Sequence, residues 1–178
     1  ENKLVTLFTA ALGTDKITLD GDDYSLNLDT TVAQAAVAGE KKFTALTNGT
    51  ATYKIFGDSA YYTLDGNDVY YTPATADKTF TISGLASNLT LTNGAINGVT
   101  ATVNGDSVKF TLSAAALKAS NVTVSGTGAT LELGSDVPKT AQNVNAWTTL
   151  TGGNVAYLEG GKTSYYSLNS DAKSVAYT

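Results

Sequence analysis

The sequence predicts an all-β protein made of internally repeated, antiparallel, sandwich-like units. Three observations lead to this prediction. Threonine and the aromatic and β-branched residues that favour strands are abundant, whereas glutamate and glutamine are scarce and arginine is absent. Short alternating segments recur between turn residues. The chain also matches itself at an offset of about 105 residues.

Strand patterns run through the whole chain. Segments such as "KITLDG", "YSLNLD", "TATYKIF", "TFTISG", "SVKFTLS" and "ATLELG" alternate or nearly alternate apolar and polar residues, and most are bounded by Gly, Asn or Asp. Five dipeptides are typical of tight hairpin turns, where positive φ is required: Asp20-Gly21, Asn48-Gly49, Asp65-Gly66, Asn93-Gly94 and Asn104-Gly105. Only "SAAALKAS" and "TVAQAAVAGEKK" are candidates for short helical pieces.

The internal repeat sets the predicted organisation. Thr6 is matched by Thr111 at an offset of 105, and after one loop deletion Phe43 is matched by Trp147 at an offset of 104. We therefore predict a first block at 1–72, a β-rich joining segment at 73–109 and a second copy at 110–178.

Two architectures fit this repeat. A period near 105 residues suits an immunoglobulin-like sandwich. A smaller echo, "FTISGLASNLTLTNG" against "FTLSAAALKASNVTVSG", describes a strand, an arch and a second strand. Stacked arches of this kind would instead build a β-solenoid, which is the alternative prediction.

The composition excludes much chemistry. The chain has no Cys, His or Met, and its eleven cationic residues are all lysines. It therefore lacks the usual zinc, copper and iron–sulfur ligands, thiolate nucleophiles and imidazole bases. None of the four glutamates has an acidic counterpart in the other copy. We expect no catalytic residue, no cofactor and no enzymatic activity.

Charge and hydropathy limit the partners. The net charge of −5 disfavours nucleic acid, whose phosphates are bound by Lys and Arg. No run of about 18 apolar residues is present, so we expect no membrane insertion.

Two acidic turns raise the possibility of calcium. "LDGDDYSLNLD" and "LDGNDVYY" carry several carboxylates next to a turn glycine. The second copy does not keep them, because Asp20 becomes Ser125 and Asp65 becomes Asn169. We predict hairpin turns and no metal site, with a calcium-rigidified stalk as the less favoured alternative.

The tyrosines are the candidate contact residues. "SAYYTLDGNDVYYT" and "TSYYSLNSDAKSVAYT" are the same hairpin written twice. Adjacent strand residues face opposite sides, so Tyr62 with Leu64, and Tyr166 with Leu168, should form the face that joins the core. This reasoning leaves Tyr61, Tyr70 and Tyr165 facing outward as candidate ligand-binding residues. Trp147, matched by Phe43, is predicted to lie in the core.

"WTTLTGGNVAYLEGGKTSYYSLNSDAKSVAYT", together with "TFTISGLA" and "LSAAALKASNVTVSG", resembles tandem-repeat segments of large bacterial cell-surface or secreted adhesin-like, hemagglutinin-related proteins. The resemblance implies an extracellular, surface-attached location and a non-enzymatic structural or adhesive repeat module. Its partners would be host or cell-surface glycans or proteins and neighbouring repeats of the same chain. The alternative is a carbohydrate-binding module or a fragment of a carbohydrate-active protein.

Overall fold

A computed structural model describes residues 1–178, and it confirms the all-β prediction. The strands form five sheets. In chain order they are β1 (Lys3–Leu7), β2 (Ile17–Thr18), β3 (Tyr24–Leu28), β4 (Lys41–Thr47), β5 (Thr50–Ile55), β6 (Tyr61–Asp65), β7 (Asp68–Thr72), β8 (Lys78–Ser83), β9 (Leu91–Thr92), β10 (Ala95–Ile96), β11 (Val99–Asn104), β12 (Ser107–Leu112), β13 (Val122–Ser125), β14 (Ala129–Leu133), β15 (Asn143–Thr151), β16 (Asn154–Lys162), β17 (Tyr166–Leu168) and β18 (Ser174–Tyr177).

The chain divides into two compact units. Unit 1 comprises Glu1–Lys41 and Ile55–Lys78, and unit 2 comprises Lys42–Lys54 and Thr79–Thr178. The β4–β5 hairpin, called here the first hairpin, therefore belongs to unit 2 for most of its length. The chain leaves unit 1 to form this hairpin and then returns to complete unit 1.

Unit 1 contains a parallel pair, β1–β3, and a three-stranded sheet in the order β2-β7-β6. Four buried residues form its core, with further apolar side chains packed around them: Leu26, Leu28, Val32 and Val69. Leu26 and Leu28 lie two positions apart on β3, as expected for a strand with one buried face.

Unit 2 contains a five-stranded sheet, β14-β12-β11-β10-β9, and a six-stranded sheet, β17-β18-β13-β8-β5-β4. Its largest fully buried side chains are Phe80, Phe110, Ile82, Leu85, Leu112 and Leu131. A separate two-stranded sheet, β15–β16, is called here the second hairpin.

The expectation of antiparallel pairing throughout is wrong for two strand pairs. Strand β1 runs parallel to β3, and β12 runs parallel to β14. A parallel pair needs a crossover connection instead of a tight turn. In each case the intervening chain supplies one, through a 3-10 turn and a short strand (β2 or β13) that joins a different sheet.

Of the two predicted helical pieces, one forms a short 3-10 turn and the other forms no helix. "SAAALKAS" forms a single 3-10 turn, Ala114–Ala116, and Thr9–Ala11 forms another. "TVAQAAVAGEKK" contains no helix, because its backbone is used otherwise: the Ala33 carbonyl accepts a hydrogen bond of 2.8 Å from the Tyr62 N–H. No helix in the structure is long and apolar enough to cross a membrane.

Candidate functional site

The β6–β7 hairpin sorts its tyrosines onto two faces. Tyr61 pairs with Thr72 and Thr63 pairs with Tyr70, so Tyr61 and Tyr70 share one face. Tyr70 is 41% exposed, whereas Tyr61 is half-buried. These two candidate residues therefore lie together on the outer face of unit 1.

The opposite face of this hairpin points inward, as predicted. Tyr62 and Leu64 pack against the core cluster of unit 1, with Val69 across from Leu64. The rings of Tyr62 and Tyr71 lie 5.3 Å apart at 51°. In unit 2 the corresponding strand is less covered, and Leu168 remains 39% exposed although we expected it in the core. β17 is the edge strand of its sheet, so it has a neighbour on one side alone.

Tyr70 belongs to a small polar cluster on the surface of unit 1. The Lys16 Nζ lies 2.8 Å from Asp68 Oδ2 and 5.1 Å from the centre of the Tyr70 ring. Thr18 Oγ1 donates to Asp68 Oδ1 at 2.7 Å, and the Tyr70 hydroxyl donates to Asp68 Oδ2 at 3.2 Å. The hydrogen bond from Lys16 is the main reason that the pKa of Asp68 is lowered. The cluster holds the Tyr70 ring beside an ionised carboxylate.

Tyr165 lies in unit 2, immediately before β17. Its backbone exchanges two hydrogen bonds of 2.9 Å with Thr178, one in each direction. The half-buried side chain borders a shallow cavity of about 350 Å³. The cavity is lined by Ala141, Lys162, Thr163, Ser164, Tyr165 and Thr178.

The two acidic segments of unit 1 form turns in which a glycine has positive φ. Gly66, between β6 and β7, has φ of 60°, and Gly21 has φ of 135°. The Gly21 carbonyl accepts a hydrogen bond from the Tyr24 N–H, which closes the turn that leads into β3. No group of three or more acidic side chains in residues 1–178 is arranged to hold a metal ion.

Glu132, in unit 2, has two close polar partners. Lys109 Nζ lies 3.0 Å from its Oε2, and Thr111 Oγ1 donates to the same oxygen at 3.1 Å. The Lys109 hydrogen bond is the main cause of the lowered pKa of this carboxyl group. The two contacts therefore stabilise the ionised form of Glu132. A general acid for glycosidic cleavage needs a raised pKa instead.

The second hairpin carries an apolar surface that sequence reasoning missed. Trp147 is 68% exposed, whereas its counterpart Phe43 is only 3% exposed, so the prediction that Trp147 lies in the core is wrong. Large apolar side chains are exposed along both strands: Val144, Trp147, Leu150, Val155, Tyr157 and Leu158. The matched sequence indicated an apolar face but could not tell whether anything covers it.

Comparison of the chain with protein-family models, with curated proteins and with solved structures finds no match.

Proposed function

We propose that this chain is a non-enzymatic structural repeat module of a bacterial cell-surface or secreted protein, containing two copies of one unit with a period near 105 residues. The observation that carries the proposal is that matched positions of the two copies make the same strand pairings. A protein that spaces or displays something at a distance is commonly built by repeating one unit in this way.

The parallel strand pairs give the first support. In unit 1, Val5 pairs with Leu26; in unit 2, Phe110 pairs with Leu131. Each partner is displaced by 105 residues, so the register is the same. The connection that follows the first strand of each pair also repeats, since β1 and β12 are each followed by a three-residue 3-10 turn at the matched position.

The tyrosine hairpins give the second support. Tyr166 pairs with Tyr177 as Tyr62 pairs with Tyr71, and the ring separations are 5.1 Å and 5.3 Å, both at 51°. The third strand repeats as well: Ile17 pairs with Val69 in unit 1, and Val122 pairs with Val175 in unit 2.

An adhesive role for the outer tyrosine face is the second part of the proposal. Tyr61 and Tyr70 share one face of the hairpin, and the Tyr70 hydroxyl lies beside the ionised Asp68, an arrangement suited to hydrogen bonding with a polar ligand such as a cell-surface glycan or protein. Binding to glycan and protein arrays should be lost in the Tyr61→Ala/Tyr70→Ala variant. The Thr63→Ala variant, changed on the same face, should retain it.

The alternative, a carbohydrate-binding module, would be favoured by flat and coplanar aromatic rings. The most exposed ring pair, Trp147 and Tyr157, is instead T-shaped at 64°. This geometry gives less support to a sugar-stacking platform than to protein contact.

The spacer role predicts a simple length dependence. Tandem chains with two, three and four copies of residues 1–178 should increase in maximum dimension in proportion to copy number, measured by small-angle X-ray scattering. A maximum dimension that stops growing as copies are added would contradict a spacer.

A further inference from the structure

The first hairpin shows how a hairpin of this protein is held. β5 lies beside β8 in the six-stranded sheet of unit 2. Phe43 and Tyr53 are 3% and 5% exposed, and both rings contact Phe110, with centroids 6.1 Å and 5.3 Å away. Tyr53 also lies 6.3 Å from Phe80. The hairpin is therefore part of the aromatic core.

Backbone contacts add to this docking. The Leu85 N–H donates to the Gly49 carbonyl at 2.9 Å, and the Phe43 N–H donates to the Gly94 carbonyl at 2.8 Å. We call the surface that receives the first hairpin the hairpin seat, formed by β8 with Leu85, Gly94 and Phe110. It combines a strand edge with an aromatic pocket, so the first hairpin both forms backbone hydrogen bonds and buries its aromatic side chains there.

The second hairpin has the same internal construction. Trp147 and Tyr157 face each other at 4.8 Å and 64°, as Phe43 and Tyr53 do at 4.7 Å and 68°. The turn of the first hairpin, Asn48-Gly49, has φ of 47° and 76°. The turn of the second, Gly152-Gly153, has φ of 56° and 80°, so both are two-residue hairpin turns with positive φ at both positions.

One side-chain contact repeats as well. Thr148 Oγ1 donates to the Ala156 carbonyl at 2.9 Å, and Thr44 Oγ1 donates to the Thr52 carbonyl at 3.4 Å. Each pair is displaced by 104 residues. The second hairpin is thus a copy of the first in shape, differing in whether its apolar face is covered.

The uncovered state is energetically unfavourable. Three positions that are buried in the first hairpin, Phe43, Ala51 and Tyr53, correspond to Trp147, Val155 and Tyr157, which are each more than half exposed. A contiguous apolar patch of this kind marks an interaction surface. A lone two-stranded hairpin with two free edges also has little stability of its own.

We infer that the second hairpin docks into the hairpin seat of a second copy of the repeat, in the way that the first hairpin occupies the hairpin seat within unit 2. Each repeat would donate a hairpin to one neighbouring repeat and receive a hairpin from the other. The contact is heterologous, so it joins units head to tail in an open array. This inference rests on the proposed repeat and is independent of the location and adhesive role proposed above.

The decisive test opens the seat within this chain. In a seat-open variant, residues 42–54 are replaced by a short Gly-Ser linker, so each molecule has a free seat and a free second hairpin. We expect concentration-dependent head-to-tail oligomers in analytical ultracentrifugation and a shift of Trp147 fluorescence to shorter wavelength as they form. The unaltered chain, whose seat is filled, should remain monomeric with exposed Trp147.

The matched control is the seat-open variant with Trp147→Ser and Tyr157→Ser, which should stay monomeric. The inference is overturned if the seat-open variant folds and remains monomeric, or if its association survives the two serine substitutions. These outcomes leave the spacer test unaffected, because that test measures length in covalently joined copies.

A graft decides the question if the seat-open variant does not fold. Residues 146–158 replace residues 42–54 in a chain that also carries Trp147→Phe in its second hairpin, so the one tryptophan occupies position 43. We expect short-wavelength emission and several-fold weaker acrylamide quenching than for Trp147 in the unaltered chain. An exposed tryptophan, or loss of the fold when Trp147→Phe alone folds, would overturn the inference.

Discussion

Truncating matched aromatic residues of the two hairpins should have very different effects on stability. Phe43 is 3% exposed and lies in ring contact with Tyr53 and Phe110. Burial of about 150 Å² of ring surface at about 25 cal/mol/Å² stabilises the fold by about 4 kcal/mol. Phe43→Ala is therefore expected to lower the free energy of unfolding by about 3 to 5 kcal/mol, in the range of other buried Phe→Ala changes.

Trp147→Ala is the matched substitution. The side chain is 68% exposed, so only about a third of its area is removed from water. A third of the roughly 250 Å² that a Trp side chain can bury is about 80 Å², so the same area coefficient gives an upper limit of about 2 kcal/mol for the loss.

Urea unfolding followed by far-UV circular dichroism measures both variants without relying on tryptophan. Phe43 and Trp147 belong to the same unit, so one transition reports on both. Losses that agree within about 0.5 kcal/mol would refute the reasoning, because they would mean that the two hairpins are equally covered.

Three further outcomes are expected. Gly84→Ala should destabilise the chain by about 3 kcal/mol or more in urea unfolding, because a Cβ there would lie 2.0 Å from the Asn121 carbonyl oxygen at φ of +91°. Gly105→Ala, at φ of +56° with open space around it, should cost only about 1 to 2 kcal/mol; equal costs would contradict the steric argument. Because the pKa of Asp68 is lowered in the fold, its contribution is present above the unfolded pKa and is lost as the pH falls through the folded pKa. Asp68→Asn should therefore flatten the acid side of the stability profile, and an unchanged slope would argue against the Lys16 contact. Calcium at millimolar concentration should leave the melting temperature unchanged, and a rise reversed by chelator would contradict the assignment of the acidic segments as turns.

Local patterns predicted the features that depend on neighbouring residues. The alternation in "AYYTL" assigned Tyr62 and Leu64 to the inner face and Tyr61 to the outer one, and cross-strand pairing agrees with that assignment. The turn at Asp65-Gly66 followed from the same kind of reasoning, since Gly adopts positive φ at little cost. These features need only the period of a strand and the preferences of a turn.

The parallel pairing of β1 with β3 could not be predicted from strand alternation and turn preferences. Alternation shows that Val5 and Leu26 each face a core, but it contains no information on strand direction or on which sheet a strand joins. Direction was decided by the crossover through β2, whose residues Ile17 and Thr18 pair with β7 far along the chain.

The candidate contact surfaces also combine features that the sequence predicts with features that depend on the tertiary structure. The sequence by itself determined that the chain is all-β, rich in tight turns and free of Cys and His. Only the tertiary structure decided that Phe43 is buried and that Trp147 is exposed, although the two residues occupy matched positions in hairpins of the same construction. The physical reason is that strand periodicity sets which side chains share a face, whereas burial depends on whether another surface, here Phe80 and Phe110 of unit 2, lies against that face.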